Sequence, residues 1–189
     1  MRRIGVFMIR DNLEDLPHHE LPPGYRFRLF RKGDERLWAE IEYSADEFES
    51  ADAALARFNK DFGPCVDEME RRCFFVETDG GQAVGTGMAW CGRDFLGGEY
   101  GRVHWISVRP EFQGRGLGKA LISRVMDRLA ESHDKACLKT HTNNIAAIKL
   151  YLDFGFRPLL LTPHCREAWE TVGNILRHPT VEGALRELA

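Results

Sequence analysis

The chain has 189 residues, 43% apolar and 29% charged, with a net charge of −3. That balance predicts a globular protein of one domain with or without appendages, and it excludes a general nucleic-acid-binding surface. No apolar run approaches the roughly 18 residues that a membrane-crossing helix needs, so no membrane partner is expected.

Residues 3–10 read as a short strand or a loose arm, and Pro17, Pro22, Pro23 and Gly24 break the chain after it. Tyr25 to Phe30 alternates apolar and basic residues, the pattern of a half-buried strand. Gly33-Asp34 opens a helix to about Ser44, with Leu37, Trp38 and Ile41 on one face. Ser50 caps a second helix that Gly63-Pro64 ends. Cys73 to Glu77, a turn at Asp79-Gly80-Gly81, and Ala83 to Cys91 form a hairpin. A Gly-rich loop is expected over 92–101, then a strand from Val103 to Val108. A helix follows from about Gly116 to Ser132, with Leu117, Leu121, Val125 and Leu129 in one stripe. Ala136 to Thr140 reads as a strand, Ala146 to Phe154 as a helix and Phe156 to Leu161 as a strand. Cys165 to about Leu176 reads as a helix, ahead of a frayed tail. This order predicts an α/β (α+β) fold, a mixed and mostly antiparallel sheet of about six to seven strands flanked by helices.

Charge is uneven. Residues 34–70 hold 12 acids and 3 bases, a net −9, which leaves +6 on the rest. A solvated helical face accounts for most of these acids, and attraction of a cation is the sharper alternative. Met1-Arg2-Arg3 precedes only Ile4 to Ile9, too short for a signal-peptide core. The cysteines at 65, 73, 91, 137 and 165 are odd in number and lack C-x-x-C spacing. They read as free thiols of a cytoplasmic protein, and no metal is expected.

The densest signal is the run from Val103 to Lys119, a strand entering a Gly-rich turn that opens a helix. Glycines admit close backbone approach, and the first helical turn adds unpaired N–H groups with the positive end of the dipole. Such a turn can hold a phosphate or pyrophosphate. A P-loop is excluded because Ala120 follows Lys119, and Gly114-Arg115-Gly116-Leu117-Gly118 does not fit G-x-G-x-x-G. The remaining pattern is Q-x-x-G-x-G, filled by Gln113, Gly116 and Gly118. A second signal is N-x-x-A-x-x-x-Y-x-x-x-G-F in Asn144, Ala147, Tyr151, Gly155 and Phe156. Taken singly, these residues are a cap, a small packing residue, a core aromatic and a left-handed helix end.

In this order and separation the two motifs resemble those of the GNAT superfamily of N-acetyltransferases, over about residues 24–161. Residues 1–23 are then an N-terminal arm that covers a sheet edge or packs on a partner, 24–165 the acetyltransferase domain and 166–189 a C-terminal helical extension. The resemblance implies acetyl-CoA as co-substrate, an amine acceptor and, with the spare C-terminal helix, favours a homodimer. It assigns the strand backbone at Ile106, Ser107 and Val108 to pantetheine, with one N–H polarising the thioester oxygen. It assigns Gln113, Gly114, Arg115, Gly116, Leu117, Gly118 and Lys119 to the pyrophosphate loop, and Asn144, Ala147 and Lys149 to the same ligand. Tyr151 matches the family's general acid. His104, two residues before Ile106, matches a base of members that act on arylalkylamines. Glu99, His141 and a water chain are the other candidate bases. Members that acetylate protein N-termini carry a glutamate where this chain has Lys139. The family's acceptor wall falls on the acidic segment, where Asp46, Glu47 and Glu49 suit a cationic small amine. Trp38, Tyr43, Phe48 and Trp105 are candidate aromatic walls there, although core packing is their commoner use. A non-catalytic acyl-CoA-binding module and a protein N-terminal or lysine acetyltransferase are the alternatives.

Overall fold

The computed structural model describes residues 3–95, 97–161 and 163–187. Met1 and Arg2 of the arm, Leu96 of the expected loop and Thr162 after the last expected strand lie outside the described residues. The elements in chain order are β1 (Gly5–Arg10), β2 (Tyr25–Leu29), α1 (Glu35–Ser44), α2 (Ala51–Phe62), α3 (Val66–Arg72), β3 (Cys73–Thr78), β4 (Ala83–Phe95) and β5 (Gly98–Val108). They continue as α4 (Leu117–Ala130), β6 (Ala136–His141), α5 (Ile145–Asp153), β7 (Arg157–Leu159), α6 (Pro163–Leu176) and α7 (Pro179–Arg186). The strands form one seven-stranded mixed sheet in the order β2-β3-β4-β5-β6-β1-β7. β5 and β6 are parallel, through Gly101↔Ala136 and Arg102↔Cys137. The pairs β1–β6, β1–β7, β2–β3 and β3–β4 are antiparallel.

The fold divides into two compact units, and β4 and β5 contribute to both. Leu16–Trp90 with Val103–Ser132 makes one. Its core stacks Phe30 between Phe58 (5.6 Å) and Phe75 (6.3 Å), with Trp38, Phe62 and Met69 buried around them. Residues 25–29 form edge strand β2 as expected, but the alternation does not sort apolar residues inward, since Leu29 is exposed while Arg28 is half-buried. Arg28 donates to Glu77 (2.5 Å) and Asp34 (2.6 Å) while its guanidinium lies over Phe75. Gly87 on β4 stands where a Cβ would meet Ile106 Cδ1 at 2.6 Å and Leu121 Cγ at 3.1 Å. Gly87→Val should therefore cost about 1–3 kcal/mol through overpacking. A urea titration with unchanged midpoint would refute that.

The other unit gathers β1, β6, β7, α5, α6, α7 and the distal parts of β4 and β5. Of the two readings of residues 3–10, the strand holds. β1 covers no edge but runs between β6 and β7, with Val6 and Met8 fully buried. Arg10 Nη1 donates to the Phe154 carbonyl (2.5 Å) and its Nη2 to the Glu14 carbonyl (2.6 Å).

Three local expectations are corrected. The Gly-rich stretch 92–101 is largely strand, since β4 runs to Phe95 and β5 starts at Gly98. Gly92 serves close approach there, its Cβ position lying 3.1 Å from Cys137 Sγ. Gly63-Pro64 ends α2, but a 3-10 turn leads straight into α3, with Pro64 in the first turn, where its missing N–H costs nothing. As far as residue 187 the described tail is not frayed: His178 Nδ1 accepts from the Thr180 N–H, and α7 buries Val181.

Candidate active site

The first unit carries the glycine turn. Gly114 (φ +74°) and Gly116 (φ +84°) are both left-handed, and nothing stands within 4 Å of their Cβ positions. Gly116 is the N-cap of α4, and the bond from the Ala120 N–H to the Gly116 carbonyl (3.2 Å) opens the helix. The N–H groups of Leu117, Gly118 and Lys119 precede that bond and have no partner within the helix. Leu117 turns inward and is buried. Lys119 is exposed. The Gln113 amide folds back to donate to the Val108 carbonyl (2.9 Å), tying the turn to the end of β5. Arg115 donates to the Tyr25 hydroxyl (3.1 Å) and the Glu111 carbonyl (2.9 Å), with Phe112 under its guanidinium.

β5 is irregular where it leads to that turn. Trp105 has φ +49°, a left-handed backbone that a bulky residue seldom adopts, and such strain concentrates at functional sites. Its indole stacks on Phe48 (5.4 Å) and meets Trp38 edge-on (5.4 Å). His104 is half-buried, with its ring against Trp105 (5.2 Å) and Phe62 (6.0 Å). Ser107 is buried, and its Oγ donates to Glu42 Oε2 (2.8 Å). Glu42, on α1, has no exposed surface, and its Oε1 has no hydrogen-bond partner. Burial pushes its carboxyl up to about 8; the Ser107 bond opposes that rise and the like charge of Glu47 adds to it.

The second unit carries the second motif. Asn144 is the N-cap of α5 by position, but its side chain makes no capping bond. Lys149 pairs with Asp153 (2.8 Å) one turn on. Tyr151 is 7% exposed, and its ring meets Phe156 edge-on at 6.1 Å. Gly155 has φ +77° and ends the helix as the sequence predicts. Lys139 is exposed on β6 with its amine over Phe7, and Glu99 is exposed on β5 rather than in a loop.

Residues 25–156, the span that holds both motifs, match the model of the Acetyltransferase (GNAT) family. The chain belongs to the GNAT acetyltransferases. This GNAT chain is 31% identical over 144 residues to the mycothiol acetyltransferase of Streptomyces griseus, covering 75% of this chain and 46% of that protein. Against the mycothiol acetyltransferase of Thermobispora bispora it is 32% identical over 148 residues, covering 75% and 49%. It thus spans about half the length of the curated relatives it matches. The solved GCN5-related N-acetyltransferase of Sphaerobacter thermophilus shares the fold at TM-score 0.65 and 22% identity, over 83% of this chain and 49% of that one. An aminoglycoside N-acetyltransferase solved with CoA does so at TM-score 0.56 and 21% identity, over 72% and 92%.

Within the first unit of this GNAT chain, His104, Ile106, Ser107, Val108 and the residues from Gln113 to Lys119 follow one another along β5 and into α4. Sequence reasoning missed Glu42. It stands in the acidic run, yet it falls one helical turn after Trp38 and beside Ile41, on the face that α1 buries. Among the described residues, no group of three or more His, Cys, Asp or Glu is placed to hold a metal ion, and no helix is long and apolar enough to cross a membrane.

Proposed function

We propose that this chain is an acetyl-CoA-dependent N-acetyltransferase that transfers the acetyl group to a primary amine by direct attack in a ternary complex. One observation carries the reading: a left-handed glycine N-cap places the open N–H groups of α4 at the end of a strained strand. The residues fit a pyrophosphate, because Gly114 and Gly116 leave room for close approach and the exposed Lys119 adds charge. In this proposal the N–H groups from Gly114 to Lys119 hold the pyrophosphate, and Asn144 holds the pantetheine amide region. The backbone of Ile106 and Val108 pairs with pantetheine as an added strand would. The Gln113 amide already holds the Val108 carbonyl, so the proposal assigns pantetheine the Val108 N–H.

Bound acetyl-CoA supplies the activated acetyl group. A backbone N–H beside Trp105 polarises the thioester oxygen, and its strained geometry fixes that donor before substrate arrives. Tyr151 donates its phenol proton to the departing sulfur. Direct transfer is favoured over an acyl-enzyme route because none of the five cysteines falls within the glycine turn or the second motif, and burial pushes the Cys73 and Cys137 thiols up to about 12 and about 11, away from the thiolate a nucleophile needs. Exposed Asp46 and Glu49, beside Phe48 on Trp105, support a cationic amine as acceptor.

The test is thiol release from acetyl-CoA with a panel of cationic and neutral amines, beside calorimetry with acetyl-CoA. Binding with release on at least one amine is expected. Binding without release from any amine would favour a non-catalytic acyl-CoA module, and no binding would end the reading. Gly116→Val should weaken acetyl-CoA about tenfold, since forcing a β-branched residue left-handed costs roughly 1–2 kcal/mol. Unchanged affinity would place the pyrophosphate elsewhere.

A further inference from the structure

The Glu42 carboxyl is hard to explain by stability alone. A buried acid without a cationic partner is destabilising, and a neutral residue of similar size would pack there at lower cost. Glu42 has no exposed surface, its Oε1 is unpartnered, and its hydrogen bond is to a neutral hydroxyl. The neighbouring cation, Arg109, stands 3.9 Å from Glu40 and donates to the Ala83 carbonyl. Ser107, which holds Glu42, lies between the two residues whose backbone is proposed to hold pantetheine, two positions after the strained Trp105. Ser107 keeps 6% of its surface exposed while Glu42 keeps none, so Ser107 is the more accessible residue of the pair. The indole nitrogens of Trp38 and Trp105 are also buried without partners, so this side of β5 is a tightly packed aromatic wall around one acid.

We propose that the Glu42 carboxylate is the proton acceptor for the incoming amine, reached through the Ser107 hydroxyl. This deepens the acetyl-transfer reading and rests on it. An amine arrives as ammonium and must lose one proton to become a nucleophile. As the ammonium N–H bond breaks, its proton forms a new O–H bond at Ser107 Oγ. The hydrogen already on Ser107 passes along the 2.8 Å hydrogen bond to Glu42 Oε2. The amine keeps its lone pair, the serine is unchanged, and the carboxyl is neutral. After product leaves, the proton returns to solvent by the same hydroxyl.

A carboxylate at its ordinary pKa near 4 would be several decades too weak a base for this task, and burial raises Glu42 to about 8. The titratable groups that act on it are Glu47 from the α1–α2 connection and the Cys73 thiol of β3. Glu42 receives the proton through Ser107 and does not touch the amine, so it acts as a positioning residue behind the hydroxyl.

The experiment measures kcat/KM between about pH 6 and 9, using the amine that the wild-type protein acetylates fastest in the panel above. Glu42→Gln keeps the shape and a partner for Ser107 but cannot titrate. It should lose about 100-fold or more in kcat/KM and the rise in rate near pH 8, with acetyl-CoA affinity unchanged. Ser107→Ala should show the same loss with the acid intact, and Ser107→Thr, which restores the hydroxyl, should recover most of it. Should Glu42→Gln fail to fold, the alanine and threonine variants decide. Wild-type rates and pH profile in Glu42→Gln or in Ser107→Ala would overturn the relay and leave acetyl transfer standing. A wild-type protein that acetylates no amine would overturn both.

Discussion

Tyr151→Phe is expected to lower kcat by about 10²–10⁴ while leaving the Kd for acetyl-CoA nearly unchanged. The substitution removes one oxygen and keeps the ring. The ring packs edge-on to Phe156, and the side chain is 7% exposed, so its packing survives in phenylalanine. What is lost is the only donor this side chain has. The departing sulfur of CoA carries the charge of a thiolate with pKa near 8.5, and a phenol with pKa near 10 can share its proton as the C–S bond stretches. Steady-state kinetics with calorimetry on the same preparation separates chemistry from binding. Equal loss in kcat and kcat/KM assigns the phenol to the transition state, whereas a rise in KM alone would make it a binding contact. Unchanged turnover would remove Tyr151 from the proton path.

Parts of this architecture that follow from local rules were legible in the sequence. The stripe of Leu117, Leu121, Val125 and Leu129 defines α4, and Ser50 caps α2 with its Oγ accepting from the Ala53 N–H (3.0 Å). Gly155 ends α5 because only a left-handed residue fits there without strain. Features decided by tertiary contacts were not legible. Glycine density at 92–101 signals a loop, yet Gly92 sits in a strand because Cys137 and Tyr100 leave no room for a side chain. The interior place of β1 depends on pairing with β6 and β7, more than a hundred residues away. Asn144 has the residue type of a cap without making its bond. Within the candidate site the motif residues were readable because spacing alone carries them. Glu42 was not, because an acid among twelve reads as solvated until Trp38 and Ile41 show which face of α1 is inside.

Glu42→Gln is expected to make the protein more stable, and increasingly so as pH rises. The carboxyl has its ordinary pKa of 4.5 when unfolded and one of about 8 when folded. Below 4.5 both states are protonated and the group contributes nothing to the pH dependence. Between 4.5 and 8 the folded state holds a proton that the unfolded state has released, so wild-type stability falls as pH rises. Above 8 both states are ionised and the loss is complete. The span of about 3.5 pH units between these values corresponds to a loss on the order of 5 kcal/mol. The variant has no such group, so its advantage over wild type should widen by roughly 3 kcal/mol between about pH 6 and 9. Urea unfolding of both proteins at the two pH values gives that difference directly. The other carboxylates and the Cys73 thiol are common to both proteins and cancel in the comparison. A constant gap would mean that Glu42 reaches solvent in the folded protein and has no raised pKa. A variant both more stable and slower would mark Glu42 as an acid kept for chemistry at a cost in stability.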